Sequence, residues 1–186
     1  RIMRAAFHGA RQRRKRVTSI TKSNAQLFSM GLWDDAFRDA SKEFPDVEAR
    51  SLLVDAAAMD FVRKPEVFDV VVASNLFGDI LTDLGAIVTG SVGLAASANI
   101  NPERHYPSMF EPVHGSAPDI AGQGIANPLA AILSAKMMLD HLGHGQSGNA
   151  IQRAVAKVLK DGKVRTPDLG GTATTTLMAD AVLAAL

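Results

Sequence analysis

The stretch DVVVASNLFGDILTDLGAIV, residues 69–88, decides the fold class of this chain. Its first part, residues 69–73, is a short β-branched run, which predicts a strand buried on both faces. The polar pair Ser74-Asn75 predicts a turn, and the residues from 77 to 88 predict a helix. A buried strand that leads directly into a helix is typical of α/β proteins.

The same alternation of strands and helices extends in both directions. Upstream, the patterning predicts two strands and two helices, at residues 17–20, 48–54, 32–44 and 55–63. Downstream, residues 90–118 are rich in Gly, Ser, Asn and Pro, which predicts loops with short strands. The predicted helices that finish the chain cover residues 128–142, 149–159 and 172–186, with a flexible linker at residues 143–148.

The opening segment predicts another helix, in which Ile2, Ala5, Ala6 and Ala10 share one face. A basic run at residues 11–16 follows and leaves two interpretations open. The run is either a nucleic-acid-binding patch or a solvated helix C-terminus, where cations complement the helix dipole. The helix begins without a cap and without an initiator Met, so we expect an upstream portion.

Composition excludes several classes of protein. The 186 residues are 47% hydrophobic and 21% charged, which is ordinary for a globular domain. The net charge of +1 gives no reason to expect nucleic acid as a partner. Because there is no cysteine, disulfides and thiolate metal sites are excluded. No apolar run approaches the length of about 18 residues that a membrane span needs, and the N-terminal segment lacks the apolar core of a signal peptide.

Three groups of residues carry candidate chemistry. Asp79 and Asp83 are spaced i, i+4, which places two carboxylates on one face of a helix, next to a strand end. Such a pair either holds Mg²⁺ or Mn²⁺ or simply favours the helix dipole. Lys22 and Asp55 each follow a predicted strand directly, and Lys22 is either an acid/base group or an ordinary solvated lysine.

The third group is the segment EPVHGSAPDIAGQGIANP at residues 111–128. A loop of this composition that opens a helix can present backbone N–H groups to a phosphate or an adenine. It contains neither a G-x-G-x-x-G fingerprint nor a Walker lysine, so an ordinary surface loop is the alternative.

These groups occur together, in this order, in the isocitrate/isopropylmalate dehydrogenase family, which the chain resembles along essentially all of its length. Residues 75–94, which include Gly90, Ser91 and Gly93, resemble the family signature, and residues 111–128 resemble its dinucleotide loop. Three further segments, at residues 21–24, 73–79 and 99–104, resemble the branch that acts on tartrate and D-malate.

The resemblance implies an α/β, isopropylmalate dehydrogenase-like fold that is incomplete because an N-terminal half is absent. Residues 1–88 would end a dimer-forming domain, and residues 89–186 would complete the cofactor-binding domain. The absent half would carry the substrate-binding arginines and a catalytic Tyr, since Tyr106 lies in the wrong segment. We therefore expect this chain by itself to be inactive.

The resemblance also implies roles for individual residues. Lys22 and Asp55 would be catalytic, with Asn24 beside them to bind substrate. Asp55, Asp79 and Asp83 would bind Mg or Mn. The adenosine half of NAD would lie against six residues: His114, Gly115, Ser116, Ala117, Asp119 and Asn127. Asp119 would accept hydrogen bonds from the ribose and repel a 2′-phosphate, which selects NAD over NADP.

The expected activity is NAD- and metal-dependent oxidation of a 2-hydroxy dicarboxylic acid such as tartrate or D-malate, with β-decarboxylation as a further step. Dehydrogenases of 3-isopropylmalate or isocitrate, and a catalytically incompetent fragment or non-catalytic subunit, are the alternatives. The resemblance implies a cytoplasmic homodimer with shared active sites. Lys22 and Asp55 would serve the partner's site, and the helices at residues 55–63 and 79–88 would lie at the interface.

Overall fold

The computed structural model describes all 186 residues, which form two compact units, Arg1–Val88 and Thr89–Leu186. The first unit contains four helices and a parallel sheet of three strands: α1 Ile2–Arg11, β1 Arg16–Thr21, α2 Leu27–Lys42, β2 Glu48–Leu53, α3 Val54–Arg63, β3 Val70–Val72 and α4 Asn75–Thr89. The second contains an antiparallel hairpin and three helices: β4 Ala96–Asn99, β5 Met109–Pro112, α5 Leu129–His141, α6 Gly145–Asp161 and α7 Thr175–Ala185. The α/β class is confirmed.

The sheet of the N-terminal unit has the strand order β2-β1-β3, and all three strands are parallel. Its two faces pack into two separate cores, and α2 contributes to both. Val17 and Val72 join a core with Phe7 of α1 and Phe37 of α2, whereas Ile20 points to the opposite core. That second core is completed by small and large apolar residues of α2, α3 and α4: Met30, Ala57, Phe77 and Leu81. The expectation of a β3 that uses both faces is confirmed, because Val71 packs against the second core and Val72 against the first.

The buried face of α1 differs from the predicted one. Met3, Phe7 and Ala10 are buried at i, i+4, i+7 spacing, whereas Ile2 is 57% exposed. Ile2, Ala5 and Ala6 instead line an open groove of about 400 Å³ beside β3. The larger side chains of Met3 and Phe7 bury more apolar area than the alanines could, which sets the orientation of the helix.

The C-terminal unit has its core between α5, α6 and α7, with Leu129, Val155 and Met178 among the buried side chains. The helix α6 begins at Gly145, inside the segment that was predicted to be a flexible linker, so that prediction was wrong. Gly148 is buried there, and a Cβ at this position would lie 2.2 Å from Asp140 Oδ1. No helix in the chain has the length and apolarity that crossing a membrane requires.

The basic run at residues 11–16 forms ion pairs that connect separate elements. Arg11 pairs with Asp46 at 2.5 Å, and Arg16 pairs with Glu48 at 2.8 Å. Arg13 and Arg14 both pair with Asp69, which precedes β3. Each of the four arginines in the run thus has a carboxylate partner within the N-terminal unit.

Asp69 is the buried centre of this arrangement. Its side chain is 1% exposed, and it accepts hydrogen bonds from Arg13 Nε at 2.9 Å and from the Arg14 backbone N–H at 3.0 Å. Burial opposes ionisation of this carboxyl, but the hydrogen bonds that it accepts outweigh burial and hold its pKa below the ordinary Asp value.

Replacing Asp69 with Asn should lower the free energy of unfolding near neutral pH by about 1–3 kcal/mol, because Arg13 and Arg14 lose their charged acceptor. Since the pKa of Asp69 is lower in the folded chain, its stabilisation is present above the unfolded-state pKa and is lost as the pH falls through the folded value. Urea unfolding as a function of pH should show the variant and the unmodified chain converging at acid pH. Asp39→Asn is the control, because Asp39 and its partner Lys42 are both exposed. Equal stability of the Asp69→Asn chain near neutrality would contradict this role.

Candidate active site and cofactor cavity

The parallel sheet brings the predicted polar residues of the N-terminal unit to one edge. Lys22 directly follows β1, Asp55 lies in the first turn of α3 after β2, and Asn75 begins α4 after β3. Because the three strands are parallel, their carboxyl ends share that edge, where α/β proteins bind ligands.

Lys22 and Asp55 form an ion pair at this edge. Lys22 Nζ donates to Asp55 Oδ1 at 2.9 Å, with the two side chains 27% and 61% exposed. The hydrogen bond from Lys22 holds the pKa of Asp55 below its usual value. The ammonium group therefore has a fixed orientation and still reaches solvent. Asn24 is exposed in the turn that follows Lys22.

Asp79 and Asp83 both lie in α4, where their i, i+4 spacing places them on one face as predicted, and both are exposed. Asn75 Nδ2 donates to Asp79 Oδ2 at 3.3 Å. Nowhere do three His, Asp or Glu side chains come together in this chain to hold a metal ion, so Asp55 does not join the α4 carboxylates within one copy. Two carboxylates on one helix face do fit Mg²⁺ or Mn²⁺, since such ions commonly take one or two protein carboxylates and fill their remaining positions with substrate and water.

The C-terminal unit contains a cavity of about 870 Å³, a size typical of small-molecule sites. The loop between β5 and α5 supplies most of its lining, including five of the six residues predicted for the cofactor: His114, Gly115, Ser116, Ala117 and Asn127. Asp168 is the only carboxylate in the lining, and no Lys or Arg side chain contributes to it.

Successive turns shape the loop at residues 114–126. Ala117 has a positive φ of 44°, which is uncommon for a residue with a Cβ and is found more often at functional sites. The Gln123 side chain donates to the Asp119 carbonyl oxygen at 2.8 Å and closes the segment between them. At the far end, the Thr175 hydroxyl donates to the Ala126 carbonyl oxygen at 2.6 Å, which attaches the loop to the start of α7.

Asp119 is exposed and lies between Ala117 and Ile120, which line the cavity, but Asp119 itself is not part of the lining. His114 is part of it, and its Nδ1 lies 2.9 Å from the Gly115 carbonyl oxygen. The ribose-binding role of Asp119 therefore stays a prediction.

Sequence reasoning missed Asp168, which the structure places at the cavity wall. Its Oδ2 accepts hydrogen bonds from the Ser91 hydroxyl at 2.6 Å and the Asn127 amide at 2.9 Å. Its Oδ1 accepts from the Thr166 hydroxyl at 2.5 Å. In the sequence, Thr166-Pro167-Asp168 indicates only a turn.

Comparisons with known proteins agree with this fold. Residues 1–182 match the family described as isocitrate/isopropylmalate dehydrogenase. A probable tartrate dehydrogenase/decarboxylase of Bacillus subtilis is 52% identical over 186 residues, which are 100% of this chain and 52% of that protein. The D-malate dehydrogenase (decarboxylating) of Escherichia coli is 51% identical over 98% of this chain and 52% of its own length.

Solved structures of other proteins also resemble this chain. The crystal structure of isocitrate dehydrogenase from Methylococcus capsulatus superposes with a TM-score of 0.94 and 45% identity, over 98% of this chain and 54% of that one. The chain thus spans about half the length of the relatives that it matches. Its structure is that of an α/β protein with an isopropylmalate dehydrogenase-like fold. The chain belongs to the isocitrate/isopropylmalate dehydrogenase family.

Proposed function

We propose that this chain belongs to an NAD- and divalent-metal-dependent dehydrogenase that oxidises a 2-hydroxy dicarboxylic acid such as tartrate or D-malate. The observation that carries the proposal is the cavity of the C-terminal unit, which is lined by the loop that was assigned to the cofactor on sequence grounds. The identity to a probable tartrate dehydrogenase/decarboxylase and to a D-malate dehydrogenase supports this substrate class.

The charge of the cavity lining supports NAD over NADP. A 2′-phosphate is usually held by basic side chains, and the lining contains no Lys or Arg. Asp119, exposed between two lining residues, would repel such a phosphate and accept hydrogen bonds from ribose hydroxyls.

NAD should bind this chain at least about tenfold more tightly than NADP, which corresponds to 1.4 kcal/mol. Isothermal titration with each dinucleotide measures this ratio, and kcat/KM for the two in the whole protein checks it during turnover. Asp119→Asn, which keeps the shape and removes the charge, should reduce the ratio; Asp161→Asn, on the exposed end of α6, is the control. A clear preference for NADP would refute the assignment.

The sheet edge of the N-terminal unit supplies the groups for proton transfer. When bound, Mg²⁺ or Mn²⁺ would supply Lewis-acid polarisation of substrate oxygens, and NAD would accept the hydride. Lys22 is the proton donor in its pair with Asp55, so its ammonium would first give a proton to solvent. Its neutral amine would then accept the proton that the substrate hydroxyl loses as it becomes a carbonyl. If the 2-oxo acid then loses CO₂ from its β-carbon, the same lysine can return a proton to the enolate.

A different substrate within the same family is the second candidate, because the family that matches this chain is described by its isocitrate and isopropylmalate dehydrogenases. Comparing kcat/KM for tartrate, D-malate, 3-isopropylmalate and isocitrate in the whole protein separates the candidates. A higher kcat/KM for one of the last two would transfer the assignment to that substrate.

A homodimer with shared active sites completes the proposal. Several large apolar side chains of α3 and α4 are exposed: Met59, Val62, Leu76, Ile80 and Ile87. An apolar surface of this kind on a monomer usually marks an interface. A second copy seated on these helices would cover it and could bring Asp55 of one chain to Asp79 and Asp83 of the other, which do not meet within one chain.

A further inference from the structure

Asp168 connects three segments that are distant in sequence but adjacent at the cavity. The donors to its carboxylate are Ser91, which precedes the short 3₁₀ helix Val92–Leu94, Asn127, which precedes α5, and Thr166. Hydrogen bonds to a carboxylate are roughly twice as strong as those between neutral groups. A single side chain thus fixes the positions of several segments of the lining.

The two donors that line the cavity are themselves tied to backbone. Ser91 Oγ accepts from the Gly93 N–H at 2.9 Å, and Asn127 Oδ1 accepts from the Leu129 N–H at 3.0 Å, at the start of α5. Asn127 is 8% exposed, so the orientation of its amide is set by these partners. Each donor therefore links Asp168 to the backbone, at Gly93 in one case and at Leu129 in the other.

Gly93 shows how closely this part of the cavity is packed. A Cβ at this position would lie 2.7 Å from Asp168 Oδ2 and 2.9 Å from Asn127 Cβ. Both distances are shorter than real Cβ contacts allow, so only glycine leaves the carboxylate and the amide where they are. The close packing at Gly93 and the hydrogen bonds of Asp168 therefore both favour the observed positions of the Asp168 carboxylate and the Asn127 amide.

We propose that Asp168 is a positioning residue of the dinucleotide cavity, which acts by holding the Asn127 amide and the Ser91 hydroxyl in the orientation that the ligand requires. This inference rests on the proposed function, since the ligand is taken to be NAD. Burial opposes ionisation of Asp168, but its hydrogen bonds outweigh burial and hold its pKa below the ordinary Asp value. The carboxylate form is thus the one present near neutral pH.

Comparing two substitutions separates the acceptor role from the charge. In Asp168→Ala, Ser91 and Asn127 lose their common acceptor. In Asp168→Asn, the amide oxygen can occupy the Oδ2 position, and the amide nitrogen can donate to a rotated Thr166 hydroxyl. Isothermal titration with NAD should give a Kd raised about tenfold or more in Asp168→Ala and largely recovered in Asp168→Asn. Asp180→Ala, an exposed carboxylate on α7 that does not line the cavity, should bind NAD as the unmodified chain does.

A second measurement does not require ligand. The side-chain N–H resonances of Asn127 in a ¹⁵N-labelled chain should move in Asp168→Ala and stay close to their original positions in Asp168→Asn. If Asp168→Ala fails to fold, Ser91→Ala and Asn127→Ala take its place, because each removes one donor to Asp168 Oδ2. The two donors share this acceptor, so their effects on the Kd for NAD should be non-additive in a double-mutant cycle, and additive effects overturn the positioning role.

The outcomes distinguish the two proposals. Unchanged NAD affinity in Asp168→Ala, or equal loss in Asp168→Ala and Asp168→Asn, overturns the positioning role. If the unmodified chain does not bind NAD, the proposed function fails, and with it the link to this ligand. The Asn127 resonances then still decide whether Asp168 orients that amide.

Discussion

Replacing Asp79 with Asn should lower kcat/KM of the whole protein at a fixed metal concentration by at least about 100-fold, and added Mg²⁺ or Mn²⁺ should restore part of the loss. The physical reason is the position of the carboxylate. Asp79 is exposed on α4, one turn before Asp83, and its charge has no cationic partner within the chain. A divalent cation between the two carboxylates would replace their mutual repulsion by attraction, so removing one charge weakens binding of the cation.

A metal titration of activity for the unmodified protein and the variant measures this effect, and Asp83→Asn should behave similarly. Asp35→Asn is the matched control, because Asp35 is also an exposed carboxylate of the N-terminal unit but pairs with Arg38 on its own helix. Identical activity of the Asp79→Asn protein across the whole titration would remove Asp79 from the metal site.

Those features of the fold that depend on local pattern could be predicted from sequence. The β-branched run at β3 and the apolar periodicity of α4 are local signals, and both elements form close to the predicted positions. The helix α2 begins at Leu27, five residues before its predicted start, because its first turn exposes its apolar residues. Phe28 is 94% exposed, so no buried periodicity marks that turn.

Glycine was the least reliable sequence signal for local structure, since it occurs both where the backbone is flexible and where close packing leaves no room for a Cβ. The Gly-rich segment before α6 was predicted to be flexible, yet Gly148 is needed where α6 packs against Asp140. Composition cannot distinguish a glycine that frees the backbone from one that permits close packing, because the difference lies in a neighbour that tertiary structure supplies.

The candidate site also contains one part that sequence could identify and one part that it could not. The loop at residues 114–127 could be identified because its residues are consecutive and its composition is distinctive. Asp168 could not, because its partners Ser91 and Asn127 lie 77 and 41 residues away. No periodicity or spacing predicts a contact between such distant polar residues, and only the folded unit brings them together.

Mixing two inactive variants should restore activity if the active site is shared between copies. Lys22→Ala should lower kcat by about 100-fold or more, since proton transfer by a positioned group contributes this much. When whole proteins carrying Lys22→Ala and Asp79→Asn are unfolded together and refolded, half of the dimers contain one of each. In these, one of the two sites combines an intact Lys22 and Asp55 with an intact Asp79, so about a quarter of the original activity should return.

The matched control follows from the ion pair between Lys22 and Asp55. These side chains lie 2.9 Å apart in one copy, so both belong to the same half of a shared site. Refolding Lys22→Ala with Asp55→Asn leaves both sites of every mixed dimer damaged and should restore nothing. Recovery with Asp79→Asn and none with Asp55→Asn identifies the division of the site between copies. Absence of recovery with Asp79→Asn, in samples that light scattering shows to be dimeric, would instead place Lys22 and Asp79 in the same copy's site and contradict the shared arrangement.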